Sequence, residues 1–252
     1  MTDSTITVAD IESAERLLGL AYTAQERQQM VGNLDGQIET ALARRAVAID
    51  NSVPMATTFD PRLPGFAMPE TTDSLILETQ NAPLPDNDTD IAYATLPELA
   101  AWIAGRQITS RRLTEIYLAR IADLNPKLEC FAQVTPELAL AEADAMDELS
   151  AQGTNLGPLH GIPYGVKDLF DTAGITTGWG AEPYQNRVPN SDARIVTMLR
   201  NAGAVLLGKT TLGALAYNDV WYGGWTRNPW NLAEGASGSS AGSASATAAG
   251  LC

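Results

Sequence analysis

From residue 91 to residue 252, short apolar segments alternate with stretches of helical pattern, and this alternation restricts the fold more than any other feature. Strands joined by helices form a sheet that helices cover, so the sequence predicts an α/β fold with a largely parallel sheet. The predicted strands are residues 130–134, 161–167 and 204–207, and the predicted helices are residues 136–150 and 192–202.

Two further helices are predicted from their boundary residues. Thr95 and Glu98 have the spacing of a capping box, with a proline in the first turn. Ser110 is placed to cap the next helix, which we expect to end at Asn125 and Pro126 because the residue before a proline disfavours helical geometry.

The first 90 residues differ in composition and predict two more parts of the chain. Residues 1–50 form a helical extension, with a capping box at Thr23 and Glu26. Residues 51–90 hold six of the 14 prolines and are rich in acidic residues, which is typical of an extended, solvated linker. Residues 91–252 form the third part and carry the α/β pattern.

Charge, histidine and cysteine content exclude several functions. Sixteen basic residues against 30 acidic residues give a net charge of −14, which disfavours the phosphate neutralisation that nucleic-acid binding requires. The single histidine, His160, is too few for a common zinc motif, and Cys130 and Cys252 form no disulfide framework. With no membrane-length apolar run and no secretory signal at its start, the chain is expected to be cytoplasmic. No metal or cofactor is expected.

Residues 203–210, GAVLLGKT, match the phosphate-loop pattern letter for letter, but their chemistry argues against that function. A phosphate loop needs exposed backbone N–H groups between a strand and a helix. Here the four middle residues are apolar and a predicted helix precedes Gly203. We therefore predict a buried strand followed by a turn, with ATP binding as the alternative.

Two other segments carry candidate catalytic chemistry. Residues 235–250 are dense in Gly, Ser and Ala, which is typical either of a flexible linker or of a tight turn that opens an Ala-rich helix. Lys167 ends a predicted strand, where a lysine is usually a solvated charge. If it is buried against hydroxyl groups, its pKa falls enough for it to act as a base near neutral pH.

Together these segments resemble the amidase signature family over residues 91–252. The matching segments, in the family's order and spacing, are residues 157–168, 192–210, 228–231 and 238–251. The resemblance implies a mixed sheet covered by helices and a serine hydrolase of amide C–N bonds with a Ser–Ser–Lys triad. It assigns the base to Lys167, the middle serine, which follows a cis peptide bond, to Ser239, and a supporting hydrogen-bonding role to Ser240. His160 is then a packing residue.

The resemblance also implies that one catalytic residue is missing. The family's attacking serine stands in a Gly-Thr-x-x-x-Gly-Ser motif that would follow residue 252, and the backbone oxyanion donors belong to the same loop. Ser237, Ser243 and Ser245 are not in that motif. We therefore expect the chain to be an inactive N-terminal part of an amidase, with an incomplete sheet that has an unpaired edge.

The expected partner is a small-molecule amide, without direct nucleic-acid or membrane binding, and a homo-oligomer is an open alternative. Thr211 stands where many family members have Asn, so the substrate is not assigned. A second hypothesis is the glutaminase (A) subunit of a tRNA-dependent amidotransferase, which passes ammonia to a partner and uses the helical extension as an intersubunit or self-capping element. A third hypothesis is a non-catalytic binding protein derived from the amidase fold.

Overall fold

The computed structural model of the protein describes residues 6–50, 53–70, 72 and 82–252. The chain divides into two compact units, Met1–Thr72 and Asp73–Cys252. Outside the described residues lie the first five residues, where we found no secretory signal, and residues 51, 52, 71 and 73–81 of the predicted linker. Within the described ranges, no helix is both long enough and apolar enough to span a bilayer.

The first unit contains the predicted helical extension as two helices, α1 (Val8–Leu18) and α2 (Ala24–Ala46). The capping box predicted at the start of α2 is present. The Glu26 carboxylate accepts hydrogen bonds from the N–H and the hydroxyl of Thr23, at 2.7 and 2.9 Å. Two helices thus lie within residues 8–46 of the predicted extension.

The predicted linker forms neither helix nor strand in its described part before residue 73. The prediction is wrong at the C-terminal end, where a short helix, α3 (Asp88–Ala92), begins after its cap Asn87. The Ala82 carbonyl also accepts a hydrogen bond of 2.7 Å from the buried Trp102 indole. The end of the predicted linker is therefore part of the second unit.

Helices alternate with short strands over residues 110–210 of the second unit, as predicted, whereas four short strands that were not predicted follow one another over residues 220–235. Its remaining elements are α4 (Leu96–Ala104), α5 (Ser110–Leu128), β1 (Phe131–Val134), α6 (Pro136–Ala151), β2 (Pro163–Lys167), α7 (Arg194–Asn201), β3 (Val205–Thr210), β4 (Val220–Trp221), β5 (Gly224–Trp225), β6 (Arg227–Asn228), β7 (Asn231–Gly235) and α8 (Ala241–Ala248). The capping box predicted before α4 is present, because the Glu98 carboxylate accepts the Thr95 N–H at 2.7 Å.

Helix α5 departs from the prediction at both ends. Its cap is Thr109, whose hydroxyl accepts an N–H of the first turn at 3.0 Å, and Ser110 is already helical. At the other end, the helix continues through Pro126, because a proline in the last turn removes a single backbone hydrogen bond. The Asn125 side chain then accepts the Cys130 N–H at 2.9 Å and turns the chain towards β1.

The central sheet has three strands in the order β1–β3–β2. Strands β2 and β3 are parallel, with Val166 opposite Lys209 and Lys167 opposite Thr210, whereas β1 is antiparallel to β3. The α/β class with a mixed sheet is confirmed, and the expectation of a largely parallel sheet is wrong for β1. Because neighbouring side chains of a strand point to opposite faces, Lys167 and Thr210 share one face and Val166 and Lys209 share the other.

Apolar side chains cover both faces of this sheet. Strand β3 has a register shift against β2 between Leu206 and Gly208, which interrupts the alternation of its side chains. Leu207 therefore lies on the Lys167 face, where it packs in a cluster with Leu113 of α5 and Ala246 of α8. On the opposite face, Val166 packs in a second cluster with Val196 of α7. Full burial of a side chain such as Leu207 contributes about 1.5–3 kcal/mol, so the two clusters hold the strand ends in place.

Candidate active site

The structure brings together the three site residues predicted from the resemblance. Lys167 is the last residue of β2, and its Nζ donates hydrogen bonds to Ser239 Oγ at 2.8 Å and to Ser240 Oγ at 2.9 Å. Ser239 is half-buried, whereas Ser240 is exposed and directly precedes α8. A single ammonium group therefore links the end of the sheet to the turn that begins the Ala-rich helix.

Burial lowers the pKa of Lys167 from its ordinary value of 10.5. Desolvation disfavours the charged amine, while the neighbouring hydroxyl groups can either donate to a neutral amine or accept from an ammonium. The Lys167–Ser239 contact can therefore carry a proton in both directions, which is the chemical requirement of a general base that works through a hydroxyl.

The turn before α8 is fixed by an acidic residue that the sequence analysis did not single out. The peptide bond between Gly238 and Ser239 is cis, as the resemblance implied, and Ser237 has a positive φ of 60°. The Ser237 N–H donates to Asp219 Oδ2 at 2.9 Å, and Asp219 is 6% exposed. A signal was available, because Asp219 is the only acidic residue between residues 193 and 233.

Helix α8 lies directly against the sheet, so the interpretation of residues 235–250 as a tight turn and helix is confirmed. A Cβ atom on Gly242 would come within 2.4 Å of the Cys130 carbonyl oxygen and 2.2 Å of the Thr211 nitrogen. The hydroxyl groups of Ser243 and Thr210 are 2.7 Å apart across this contact. Glycine in the first helical turn therefore sets the short spacing between α8 and the strand ends.

A second lysine, Lys209, lies on the other face of the sheet. It belongs to residues 203–210, which match the phosphate-loop pattern. Lys209 is completely buried, and its Nζ donates to Thr172 Oγ1 at 2.9 Å, to Thr177 Oγ1 at 3.0 Å and to the Phe170 carbonyl. Its Nζ is also 3.8 Å from Asp168 Oδ1. Burial lowers the pKa of Lys209 to about 8 and raises the pKa of Asp168 to about 6.

Strand β3 confirms the interpretation of residues 203–210 as a strand and turn. All six residues of this strand are buried, so their N–H groups do not form an exposed anion cradle. His160 is 1% exposed, and its Nε2 lies 2.9 Å from Ser150 Oγ and 3.1 Å from the Met146 carbonyl oxygen. These contacts tie the imidazole to α6, as a packing residue requires.

Solved structures define the class of protein to which this fold belongs. The peptide amidase from Stenotrophomonas maltophilia is 39% identical with a TM-score of 0.59, over 62% of this chain and 34% of that chain. A fatty acid amide hydrolase is 25% identical with a TM-score of 0.62, over 67% of this chain and 30% of that chain. The class is that of the amidase-signature fold.

The family model described as Amidase matches residues 112–252, more than half of the chain, and the chain belongs to this family. The (A) subunit of glutamyl-tRNA(Gln) amidotransferase from Methylococcus capsulatus is 46% identical over 160 residues, which are 62% of this chain and 33% of that protein. The protein of the same name from Bdellovibrio bacteriovorus is 38% identical over 165 residues, 64% of this chain and 34% of that protein. The chain thus spans about a third of the length of these curated relatives.

Proposed function

We propose that this chain supplies the proton-transfer residues of an enzyme that hydrolyses amide C–N bonds. In this proposal Lys167 is the base, Ser239 relays the proton, and Ser240 holds the amine in place. The observation that supports it best is the 2.8 Å hydrogen bond between Lys167 Nζ and Ser239 Oγ, made by a lysine whose pKa is lowered by burial. Membership of the amidase family supports the reaction class.

The proposed reaction begins with a neutral Lys167. Its Nζ takes the proton of Ser239 Oγ while that oxygen takes the proton of an attacking serine hydroxyl, whose oxygen bonds to the amide carbonyl carbon. The C–N bond then breaks as the proton returns along the same route to the leaving nitrogen. Water hydrolyses the resulting ester through the same relay and restores both the serine hydroxyl and the neutral amine.

The attacking serine is not assigned to any residue of this chain. In the family that the sequence resembles, it stands in a Gly-Thr-x-x-x-Gly-Ser motif that residues 1–252 do not contain. We therefore propose that the 252 residues hold the relay but do not hydrolyse amides alone. With simple primary amides as substrates, the chain and its Lys167→Ala variant should show the same background rate of hydrolysis. Saturable hydrolysis that Lys167→Ala abolishes would contradict this absence of the nucleophile.

The relay itself can be tested without turnover, because the chain has three lysines, Lys127, Lys167 and Lys209. Selective ¹⁵N labelling of lysine gives one amine signal for each. The pKa of Lys167 is expected below its ordinary value of 10.5, and Ser239→Ala should change its titration. Ser243→Ala is the matched control, because its hydroxyl contacts Thr210 and not the amine. An ordinary titration of Lys167 that is indifferent to Ser239→Ala would refute the base assignment.

A second candidate function is that of one component of an amidotransferase. It is favoured by the relatives named as the (A) subunit of glutamyl-tRNA(Gln) amidotransferase, at 38–46% identity. The chain would then bind a partner protein and serve glutamine hydrolysis, and the −14 charge would leave tRNA contact to that partner. Co-expression with the other components of such an enzyme, followed by size-exclusion chromatography, tests the idea. Co-elution is the expected result, and separate elution speaks for a free amidase.

We also propose a division of the chain that differs from the predicted one only at the end of the linker. Residues 1–50 are a helical extension, and the linker that begins at residue 51 ends before the residues that pack with α3. Limited proteolysis should cut first within residues 53–70, where the chain forms neither helix nor strand. First cuts inside α5 or β3 would contradict this division. A cytoplasmic location stays a prediction.

A further inference from the structure

Lys209 is a completely buried basic group that the proposed mechanism does not use. It pairs with Val166 of β2, the residue before Lys167. Its side chain therefore lies on the face of the sheet opposite that of Lys167, away from α8. An ammonium group has three N–H donors, and all three of Lys209 are engaged, by Phe170, Thr172 and Thr177. No donor is left for a ligand, and complete burial leaves no approach for a substrate.

All of these acceptors belong to one segment, residues 168–178, which leaves β2 directly after Lys167. The segment folds back on its own start. Gly178 N–H donates to Asp168 Oδ2 at 2.9 Å, and the Phe170 N–H donates to the Lys167 carbonyl at 3.0 Å. The Asp168 N–H also donates to the Thr210 carbonyl at 2.8 Å, which continues the pairing of β2 with β3. Lys209 thus occupies the interior of a closed polar loop.

Asp168 is the nearest counter-charge of Lys209, while Asp171 and Asp192 favour its charged form from further away and Arg187 opposes it. Asp168 is 1% exposed, and its Oδ1 has no hydrogen-bond partner while it lies 3.8 Å from Lys209 Nζ. A buried ion pair adds little net stability compared with apolar side chains of the same volume, but it fixes the positions of the groups that hold it. Asp168 is the direct neighbour of Lys167, so a group that fixes Asp168 also fixes the end of β2.

We propose that Lys209 is a positioning residue for Lys167. By holding residues 168–178 around its ammonium group, it fixes the backbone at the end of β2 and thereby directs Lys167 Nζ to Ser239 Oγ. The hydrogen bonds of Lys209 Nζ go to Phe170, Thr172 and Thr177 and not to the serines, so it acts through this segment. The inference rests on the proposed function, because it matters for chemistry only if Lys167 is the base.

The test uses the intact 252-residue chain with ¹⁵N-labelled lysines. The Lys209→Met variant keeps the length of the side chain and removes the charge and the donors. The titration of Lys167 in this variant should move up towards its ordinary pKa, and its response to Ser239→Ala should be lost, because a displaced amine is solvated and no longer meets the serine. Circular dichroism at each pH reports whether the variant is folded.

A second pair of variants covers the case in which Lys209→Met does not fold. Thr177→Val removes one acceptor of the Lys209 ammonium and keeps the shape of the side chain, whereas Thr114→Val removes a buried hydroxyl that has no hydrogen-bond partner. Thr177→Val should shift the Lys167 titration upwards and Thr114→Val should not. If Lys167 of the wild type responds to Ser239→Ala but is indifferent to both Lys209→Met and Thr177→Val, the positioning role is wrong and the base assignment stands. If the wild type itself shows no such response, the proposed function fails first.

Discussion

Lys167 and Lys209 lie on adjacent parallel strands, on opposite faces of one sheet, and burial lowers the pKa of both. Their oxygen neighbours differ. Lys167 meets two serine hydroxyls, which can give a proton back. Lys209 meets a backbone carbonyl, a nearby carboxylate and two threonine hydroxyls that already donate to backbone carbonyls. The carboxylate favours the charged form of Lys209. A lowered pKa therefore does not identify a base, and the groups around the amine decide what it can do.

The largest expected effect is on the Lys209 side of this comparison. Lys209→Met leaves the buried Asp168 carboxylate without its counter-charge, so we expect a loss of about 3–5 kcal/mol in the free energy of unfolding. Urea denaturation measures it, with Lys127→Met, at an exposed position, as a control that should change stability by no more than about 0.5 kcal/mol. A loss as small as that of the control would show that the pair is not coupled to the fold.

The same pair should give the chain a distinctive pH dependence. The pKa of Asp168 is raised from 3.8 to about 6, so the folded state holds more protons in this range and stability due to this group falls as the pH rises through it. The pKa of Lys209 is lowered from 10.5 to about 8, so its contribution to stability rises again above pH 8. The free energy of unfolding of the wild type, relative to that of the Asp168→Asn/Lys209→Met double variant, should therefore be lowest between pH 6 and 8 and rise on both sides of this range. A difference that is independent of pH would contradict these shifts.

A smaller effect is expected on the Lys167 side. Asp219→Ala removes the acceptor of the Ser237 N–H and should lower the free energy of unfolding by about 1–3 kcal/mol. Asp219→Asn keeps an acceptor oxygen at this position and should lose less. Urea denaturation compares the two variants, and the ¹⁵N titration of Lys167 should follow the same order because the turn carries Ser239. Equal losses would mean that the negative charge, and not the hydrogen bond, holds the turn.

The smallest effect is expected at Ser240. Its hydroxyl is exposed and shares the Lys167 amine with Ser239, so Ser240→Ala should change stability by no more than about 0.5 kcal/mol. The Lys167 titration should keep its response to Ser239→Ala in this background. If Ser240→Ala alone abolished that response, the proton would pass through Ser240, and the two serines would exchange their assigned roles.

The elements that local signals define were predictable from the sequence. The capping boxes at Thr23 and Thr95 and the Ala-rich helix α8 appear where the pattern placed them. The end of α5 was not predictable, because the Asn125 side chain, and not Pro126, directs the chain out of the helix. Local rules assign boundaries from neighbours in sequence, whereas this boundary depends on a contact with the following strand.

The candidate site was predictable in part. The resemblance named Lys167, Ser239 and Ser240, and the structure brings their side chains together, while their catalytic roles stay predictions. The Lys209 loop was missed for a physical reason. A fully buried lysine contradicts the usual exposure of this residue type, and its acceptors are up to 39 positions away along the chain. Such contacts depend on strand register, which no local pattern encodes.

Gly242 has a consequence for the variation that this active site can tolerate. The absence of a side chain at Gly242 allows α8 to lie close to the strand ends. A single methyl group there would have to push the helix away by more than an ångström to reach ordinary contact with the backbone of Cys130 and Thr211. A displacement of that size would stretch the 2.8 Å amine–hydroxyl distance beyond hydrogen-bonding range. The absence of a Cβ atom at Gly242 thus helps to set the distance between the Lys167 amine and the Ser239 hydroxyl.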